Sequence, residues 1–231
     1  MSDLYVEVLG DKFLVGSFKS GTDMLQNMYG MYLSMEFERI QSNINTAVNG
    51  TDLGWNRLHS THLGFSILDD RHTVGSLVGG TVQGTVSTSD IIRVKRDYKD
   101  VLVHCWREHS PEMTWDDFIK SSMGYSLVQA FETSQRVLTY NGVIKYENLV
   151  NDPQKVLTAL VDKMSPRWVN GPNVIKQTTV NLRTIEKVIE GSKIRELRQN
   201  PDSMYLEKVG VYAEWITPEQ AEHVDAFVAS L

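Results

Sequence analysis

Apolar positions along this chain follow two rhythms. Phe13-Leu-Val15 is a continuous apolar run, short enough for a buried strand. Further on, Leu25, Met28, Tyr32 and Met35 recur three and four apart, which predicts a helix from Thr22 to about Arg39. Between them, Gly16 to Gly21 is a small, flexible loop with one lysine, Lys19. Polar residues Gln41 to Thr46 follow, and Asn49-Gly50 and Asp52-Leu-Gly54 mark turns. Arg57 to Phe65 suits a short strand, whereas the Gly-, Thr-, Ser- and Val-rich stretch Gly75 to Ser89 suits a hairpin and a mobile loop equally.

The same alternation continues. Ile91 to Lys95 predicts a buried strand and Asp100 to His109 the helix behind it. Thr114-Trp-Asp-Asp117 reads as a helix start, Tyr125 to Val137 as a helix, and Gly142 to Tyr146 as a third strand. Asp152-Pro153 opens a helix reaching about Met164, with proline at its first position. Ser165 to Pro172 reads as loop, and Thr179 to Gln199 as two or three helices. Thr217-Pro-Glu-Gln220 caps a last helix. Strands separated by helices predict an α/β fold, a single P-loop-type domain over 1–231 with a central, mostly parallel sheet flanked by helices.

Composition narrows the function classes. The chain has 231 residues, 41% hydrophobic and 23% charged, as expected for a globular protein with a real core. A formal charge of −6 excludes the broad basic face that general nucleic-acid binding needs, so an anionic ligand must meet a local cluster of Lys and Arg. The single cysteine, Cys105, excludes an internal disulfide framework; within Val101-Leu-Val-His-Cys-Trp106 it reads as a core residue. Neither a signal-like N-terminus nor a bilayer-length apolar run is present, and the expected location is cytoplasmic.

Three stretches carry candidate chemistry. A strand, a glycine-bearing loop and a helix start form an arrangement in which backbone N–H groups hold an anion. Gly16 and Gly21 stand where the two glycines of a Walker A loop would, but Thr22-Asp23 replaces its Lys-Ser/Thr pair and the lysine lies inside the loop. That argues against a magnesium-ATP site; a plain strand–turn–helix suits the same residues. In Arg93-Val-Lys-Arg96, a strand delivers Lys95 and Arg96 to its C-terminal end, where open α/β sheets collect ligands. A solvated charge run at a helix start is the alternative. Leu58-His-Ser-Thr-His62 holds two histidines, His59 and His62, suited to removing a proton near neutral pH. They have no cysteine or His/Glu partner at metal-ligand spacing, and they also suit a simple loop pair.

The order of these segments resembles the sulfotransferases that use 3′-phosphoadenosine 5′-phosphosulfate (PAPS). Phe18-Lys-Ser-Gly-Thr22 is similar to the family's 5′-phosphosulfate loop. Arg96-Asp-Tyr-Lys-Asp100-Val-Leu-Val103 is similar to its 3′-phosphate segment, with Tyr98 in place of proline and His104 in place of the usual serine. Thr61-His62-Leu63 matches the strand end carrying the family's catalytic base, with Gly64 in place of proline. Val143-Ile-Lys-Tyr-Glu-Asn-Leu149 matches a later strand and helix start, in which Tyr146 and Glu147 read as structural. Lys208-Val-Gly-Val-Tyr-Ala-Glu-Trp215 resembles the segment that closes over the nucleotide, with Val209 and Ala213 as departures.

The resemblance, running from about Phe13 to about Phe227, implies sulfuryl transfer from PAPS to a hydroxyl or amine of an unnamed small-molecule or carbohydrate acceptor, leaving 3′,5′-ADP. It implies that His62 is the base and that Lys19 stabilises the leaving phosphate. It places Ser20, Gly21, Thr22 and Asp23 around the 5′-phosphate, and Arg96, His104, Lys208 and Gly210 around the 3′-phosphate. No metal is implied. Asp23 departs from the neutral residue usual there; a carboxylate suits a helix N-terminus but repels a phosphosulfate. A non-catalytic nucleotide binder of the same fold and a P-loop small-molecule kinase are the rival readings.

Overall fold

A computed structural model of the chain describes residues 4–7, 12–16, 19–44, 58–61, 65–68, 71–75, 81–87, 91–128, 143–170, 173–177, 179–199 and 209–230. The first half contains β1 (Leu4–Glu7), β2 (Lys12–Gly16), α1 (Thr22–Ile44), β3 (Leu58–Thr61), β4 (Phe65–Leu68), β5 (Arg71–Gly75), β6 (Thr81–Ser87) and β7 (Ile91–Lys95). Next come α2 (Tyr98–His109), α3 (Trp115–Lys120) and helical residues 122–128 (α4). The second half contains β8 (Val143–Lys145), α5 (Tyr146–Asn151), α6 (Pro153–Met164), β9 (Arg167–Asn170), β10 (Asn173–Gln177), α7 (Leu182–Gln199), a 3-10 turn (Val211–Glu214) and α8 (Pro218–Ala229).

The site is positioned by a four-stranded sheet in the order β3-β2-β7-β8, parallel throughout. Its register sets Val15 opposite Thr61 and Arg93, Gly16 opposite Val94, and Lys95 opposite Lys145. The strands therefore end together, and the segments that follow them gather at one edge. Leu14, Ile92 and Val94 of this sheet are buried with Leu25, Met28, Tyr29, Tyr32 and Leu33 of α1 in one core cluster, which α5, α6 and α7 complete. A second cluster joins α2, α3 and α4 to Ile216 and Val224 at the C-terminal end. Cys105 lies within it, and burial pushes its thiol up to about 12, as a packed rather than reactive cysteine requires.

Local signals account for most boundaries. Asp97 caps α2 by accepting the Lys99 N–H at 2.8 Å, and Asp152 caps α6 ahead of Pro153. Thr217 and Gln220 form a reciprocal capping box on α8. Helix α1 runs past the expected end at Arg39, because Ile40 is still buried and no breaker follows before Ile44. The third strand ends at Lys145 rather than Tyr146, which opens α5. The helix expected at Tyr125 to Val137 begins earlier, at 122, and its residues beyond 128 lie outside the described residues.

Two expectations are corrected. Within the expected loop Ser165 to Pro172, Arg167–Asn170 is strand: β9 is the central strand of an antiparallel sheet, β1-β9-β10. Gly171-Pro172 gives the stretch its turn-like composition, but Trp168 and Val169 are buried and hold the strand. Thr179 to Gln199 holds one helix, α7, instead of two or three. Gly191 breaks nothing there; a Cβ on it would stand 3.0 Å from the Met31 methyl, so its bareness serves close packing against α1. The same pairing buries Glu36, which accepts from Arg39, from Asn181 Nδ2 at 2.7 Å and from Thr184 Oγ1 at 2.5 Å. Burial raises the Glu36 pKa, yet these bonds together hold the carboxyl below its usual range.

The stretch from Gly75 to Ser89, whose composition suits hairpin and loop equally, contributes one side of an antiparallel pair. Strand β5 pairs β6, with Thr73 opposite Thr85, and β4 adds a third strand.

Candidate functional site

The site begins where β2 ends. Gly16 lies against the end of β7, so a Cβ there would come within 2.8 Å of the Val94 carbonyl and collide with Ser20 Oγ. Lys19 has φ 59° and Gly21 φ 95°. Left-handed backbone on both sides of Ser20 makes the kind of turn in which successive N–H groups face one concavity. For Gly21 this conformation is cheap, whereas Lys19 is strained by of order 1–3 kcal/mol. Thr22, buried, starts α1, and the first N–H groups of that helix have no partners within it. Asp23 is exposed on the first turn, where a carboxylate complements the helix end.

Arg96, the first residue after β7, braces this loop from below. Its side chain is only 1% exposed, and Nη1 donates to the Lys19 carbonyl at 3.0 Å. The guanidinium lies over the Tyr146 ring, 4.2 Å from its centroid, in a cation–π contact. The same ring lies beneath Gly21, where a Cβ would meet it at 2.8 Å. Tyr146 is thus a shared floor for the loop and the arginine, placed by the end of β8. Its neighbour Glu147 accepts the Asp97 N–H at 3.2 Å, tying the start of α2 to α5.

On α2, His104 and Glu108 stand one helical turn apart beside Lys19. Lys19 Nζ is 2.7 Å from Glu108 Oε2, and His104 Nε2 is 3.4 Å from the same oxygen. Burial, with the positive charges of Arg96 and Lys19, lowers the His104 pKa to about 4. The imidazole is therefore neutral at pH 7, and its Nδ1 is buried with no hydrogen-bond partner among the described residues. Ser20 Oγ is in the same condition. Burial works to raise the Glu108 pKa, but the Lys19 bond and the nearby positive charges outweigh it and hold the carboxyl low.

The C-terminal segment is latched to α2. Asp100, buried, accepts the N–H of Gly210 at 2.8 Å and of Tyr212 at 3.0 Å. Arg107 stacks on Trp215 with 4.2 Å to the ring centroid, and Lys99 pairs with Asp225 at 3.0 Å. Trp215 is thus engaged in packing through Arg107.

Two solved structures share this architecture. Mouse sulfotransferase SULT7A1, in a complex with PAP, aligns over 94% of this chain and 81% of its own at 20% identity, with a TM-score of 0.50. Retinol dehydratase, in a complex with androsterone and the inactive cofactor PAP, aligns over 95% of this chain and 80% of its own at 14% identity, with a TM-score of 0.53. This chain has the sulfotransferase fold. No protein-family model and no curated protein matches its sequence.

Within the sulfotransferase fold, Lys19, Ser20, Gly21, Thr22, Asp23, Arg96, His104 and Gly210 all fall among the described residues. Lys19 meets Arg96 through its carbonyl and stands beside His104, while Asp100 fastens Gly210 to the helix that carries His104. His62 and Lys208 lie outside the described residues. Strand β3 ends at Thr61, in register with Val15, and His59 lies opposite Phe13 within it. Sequence reasoning missed Glu108; its spacing of four from His104 on a helix is the available signal, but its contact with Lys19 spans 89 positions. No helix among the described residues is long and apolar enough to cross a membrane.

Proposed function

We propose that the chain is a PAPS-dependent sulfotransferase acting on an acceptor hydroxyl or amine. The observation that carries this reading is the meeting of loop 19–22 with Arg96 and His104 at one edge of the parallel sheet. The two solved structures of like fold, both in complexes with PAP, point the same way. The residues also fit such a ligand. Ser20 Oγ and His104 Nδ1 are buried polar atoms without hydrogen bonds among the described residues, next to a helix N-terminus and a lysine. Polar atoms left in that condition are costly unless a ligand or water completes them.

Bound PAPS supplies the activated sulfuryl group. Loop N–H groups from Ser20 to Thr22 and the Thr22 hydroxyl hold the 5′-phosphate. Lys19 stabilises negative charge as it develops on the leaving phosphate. Arg96, His104 and Lys208 serve the 3′-phosphate, with Arg96 also bracing the loop. His104 is neutral and presents Nε2 to Glu108, so it donates to a phosphate only after a proton reaches Nδ1. His62 removes the acceptor proton, a role that rests on the Thr61-His62-Leu63 match.

The test is transfer of labelled sulfate from PAPS to a panel of phenols, sugars and lipids. Wild type transfers; His62→Ala binds 3′,5′-ADP but loses transfer by ~10²–10⁴-fold, and His59→Ala stays active. Binding of 3′,5′-ADP without transfer to any acceptor would identify a non-catalytic binder. Phosphoryl transfer from ATP·Mg would identify a kinase.

A further inference from the structure

Three ionisable groups converge on one carboxylate beside the loop. Glu108 Oε1 accepts from Lys19 Nζ at 3.0 Å, and Oε2 lies 2.7 Å from that nitrogen. Oε2 is also 3.4 Å from His104 Nε2 and 3.9 Å from His109 Nε2. Lys19 is 24% exposed and Glu108 41% exposed, so the pair sits at the mouth of the site rather than inside the core. Glu36 is 1% exposed and locked by Arg39, Asn181 and Thr184, whereas an exposed pair such as Lys19–Glu108 is weak and easily opened. Glu108 instead has an open side toward solvent and holds the one lysine of the anion loop.

We propose that Glu108 is an internal anion that occupies the Lys19 ammonium in the nucleotide-free chain and must be displaced for an oxyanion ligand to bind. The inference rests on the reading of the loop as a phosphosulfate site and adds a determinant of its ligand selectivity. Two anions beside one ammonium repel each other, and the repulsion grows as water leaves. A tethered carboxylate also competes at a high effective concentration, which free monoanions do not match. Ligands of higher charge, carrying phosphate or phosphosulfate, displace it, and its exposure lets it turn into water when they do. Glu108 thus sets a threshold of charge for entry. The groups facing it are Lys19 from the loop and His104 and His109 from its own helix, with Arg96 acting on the same cluster through His104.

The experiment compares wild type with Glu108→Gln, which keeps size and polarity but removes the charge. Calorimetry with 3′,5′-ADP at pH 7 should give an affinity about 2- to 5-fold tighter in Glu108→Gln, the scale of an exposed ion pair. In a Lys19→Gln background the same change should give no gain, because the contested ammonium is gone. In parallel, inorganic phosphate is titrated while the His104 ring signals are followed by NMR, and it too should bind more tightly to Glu108→Gln. Equal or weaker binding of both probes to Glu108→Gln, or a gain that survives Lys19→Gln, overturns the proposal. If 3′,5′-ADP binds neither protein while phosphate binds Glu108→Gln more tightly, the internal anion stands and the sulfotransferase reading falls. Should Glu108→Gln be poorly folded, Glu108→Ala repeats the comparison with the same criteria.

Discussion

Arg96 Nη1 donates to the main-chain carbonyl of Lys19 at 3.0 Å, although 77 positions separate the two residues. One end of β7 thereby fixes the conformation of the loop that follows β2. The guanidinium lies over the Tyr146 ring and is 1% exposed, so the donor end of the bond has little access to water.

Arg96→Ala should therefore cost stability as well as nucleotide binding. The part-buried Lys19 carbonyl loses a charged donor, a cost of about 1–3 kcal/mol. Thermal unfolding should show a midpoint lower by several degrees, on the scale of about 2–4 °C per kcal/mol for a chain of this size. Arg96→Lys should rescue little, since an ammonium reproduces neither the planar stack nor the fork of donors. An unchanged midpoint in Arg96→Ala would show that the brace is incidental.

Lys19 separates chemistry from backbone strain. Both Lys19→Ala and Lys19→Gly remove the ammonium, and both should lower kcat more than nucleotide affinity. They should differ in stability, because φ 59° suits glycine and strains alanine. Lys19→Gly should be the more stable by about 1 kcal/mol in denaturant unfolding. A kcat left intact in both variants would remove Lys19 from the transition state.

Asp100 is the latch of the C-terminal segment. In Asp100→Ala the N–H groups of Gly210 and Tyr212 lose their acceptor, at about 1–3 kcal/mol for each that stays unsatisfied. Limited proteolysis near 209–215 should accelerate, and 3′,5′-ADP should bind more weakly. Faster cleavage with unchanged binding would show that the segment takes no part in holding the nucleotide.

His104 carries a pH dependence with a definite sign. Its pKa is depressed to about 4 by burial and by the charges of Arg96 and Lys19, while in the unfolded chain it is near 6.5. Between those values the unfolded state holds more protons, so stability is complete above about pH 6.5 and falls as pH drops toward 4. His104→Ser should flatten that part of the stability profile. Nucleotide binding that draws a proton to Nδ1 should also strengthen as pH falls. A stability slope identical in His104→Ser and wild type would assign it to other groups.

Much of the architecture was legible because local chemistry and tertiary context agree. Ile91–Lys95 matches its expected span, and Asp152-Pro153 marks the start of α6 in residue types that cap helices. Arg167–Asn170 was not legible, since its adjoining Gly171-Pro172 outweighs, on composition, a burial of Trp168 that depends on α1 and on pairing with the distant β1. The single helix over Leu182–Gln199 was not legible either, since Gly191 lies inside it and packs against Met31 of α1. The meeting of the Lys19 loop with Arg96 was legible because strand ends and glycine loops carry spacing signals. The Lys19–Glu108 pair and the Asp100 latch were not, as each joins residues that only the folded sheet brings together.

A 3′-phosphate site at Arg96 would make itself felt in calorimetry as a preference among nucleotides. The chain should bind 3′,5′-ADP more tightly than 5′-AMP by about 10- to 150-fold, the equivalent of one charge-assisted contact of about 1.5–3 kcal/mol, and should not prefer ATP·Mg. Equal affinities for 3′,5′-ADP and 5′-AMP would mean that the chain has no 3′-phosphate site, and a preference for ATP·Mg would mean that it is a kinase-type nucleotide binder.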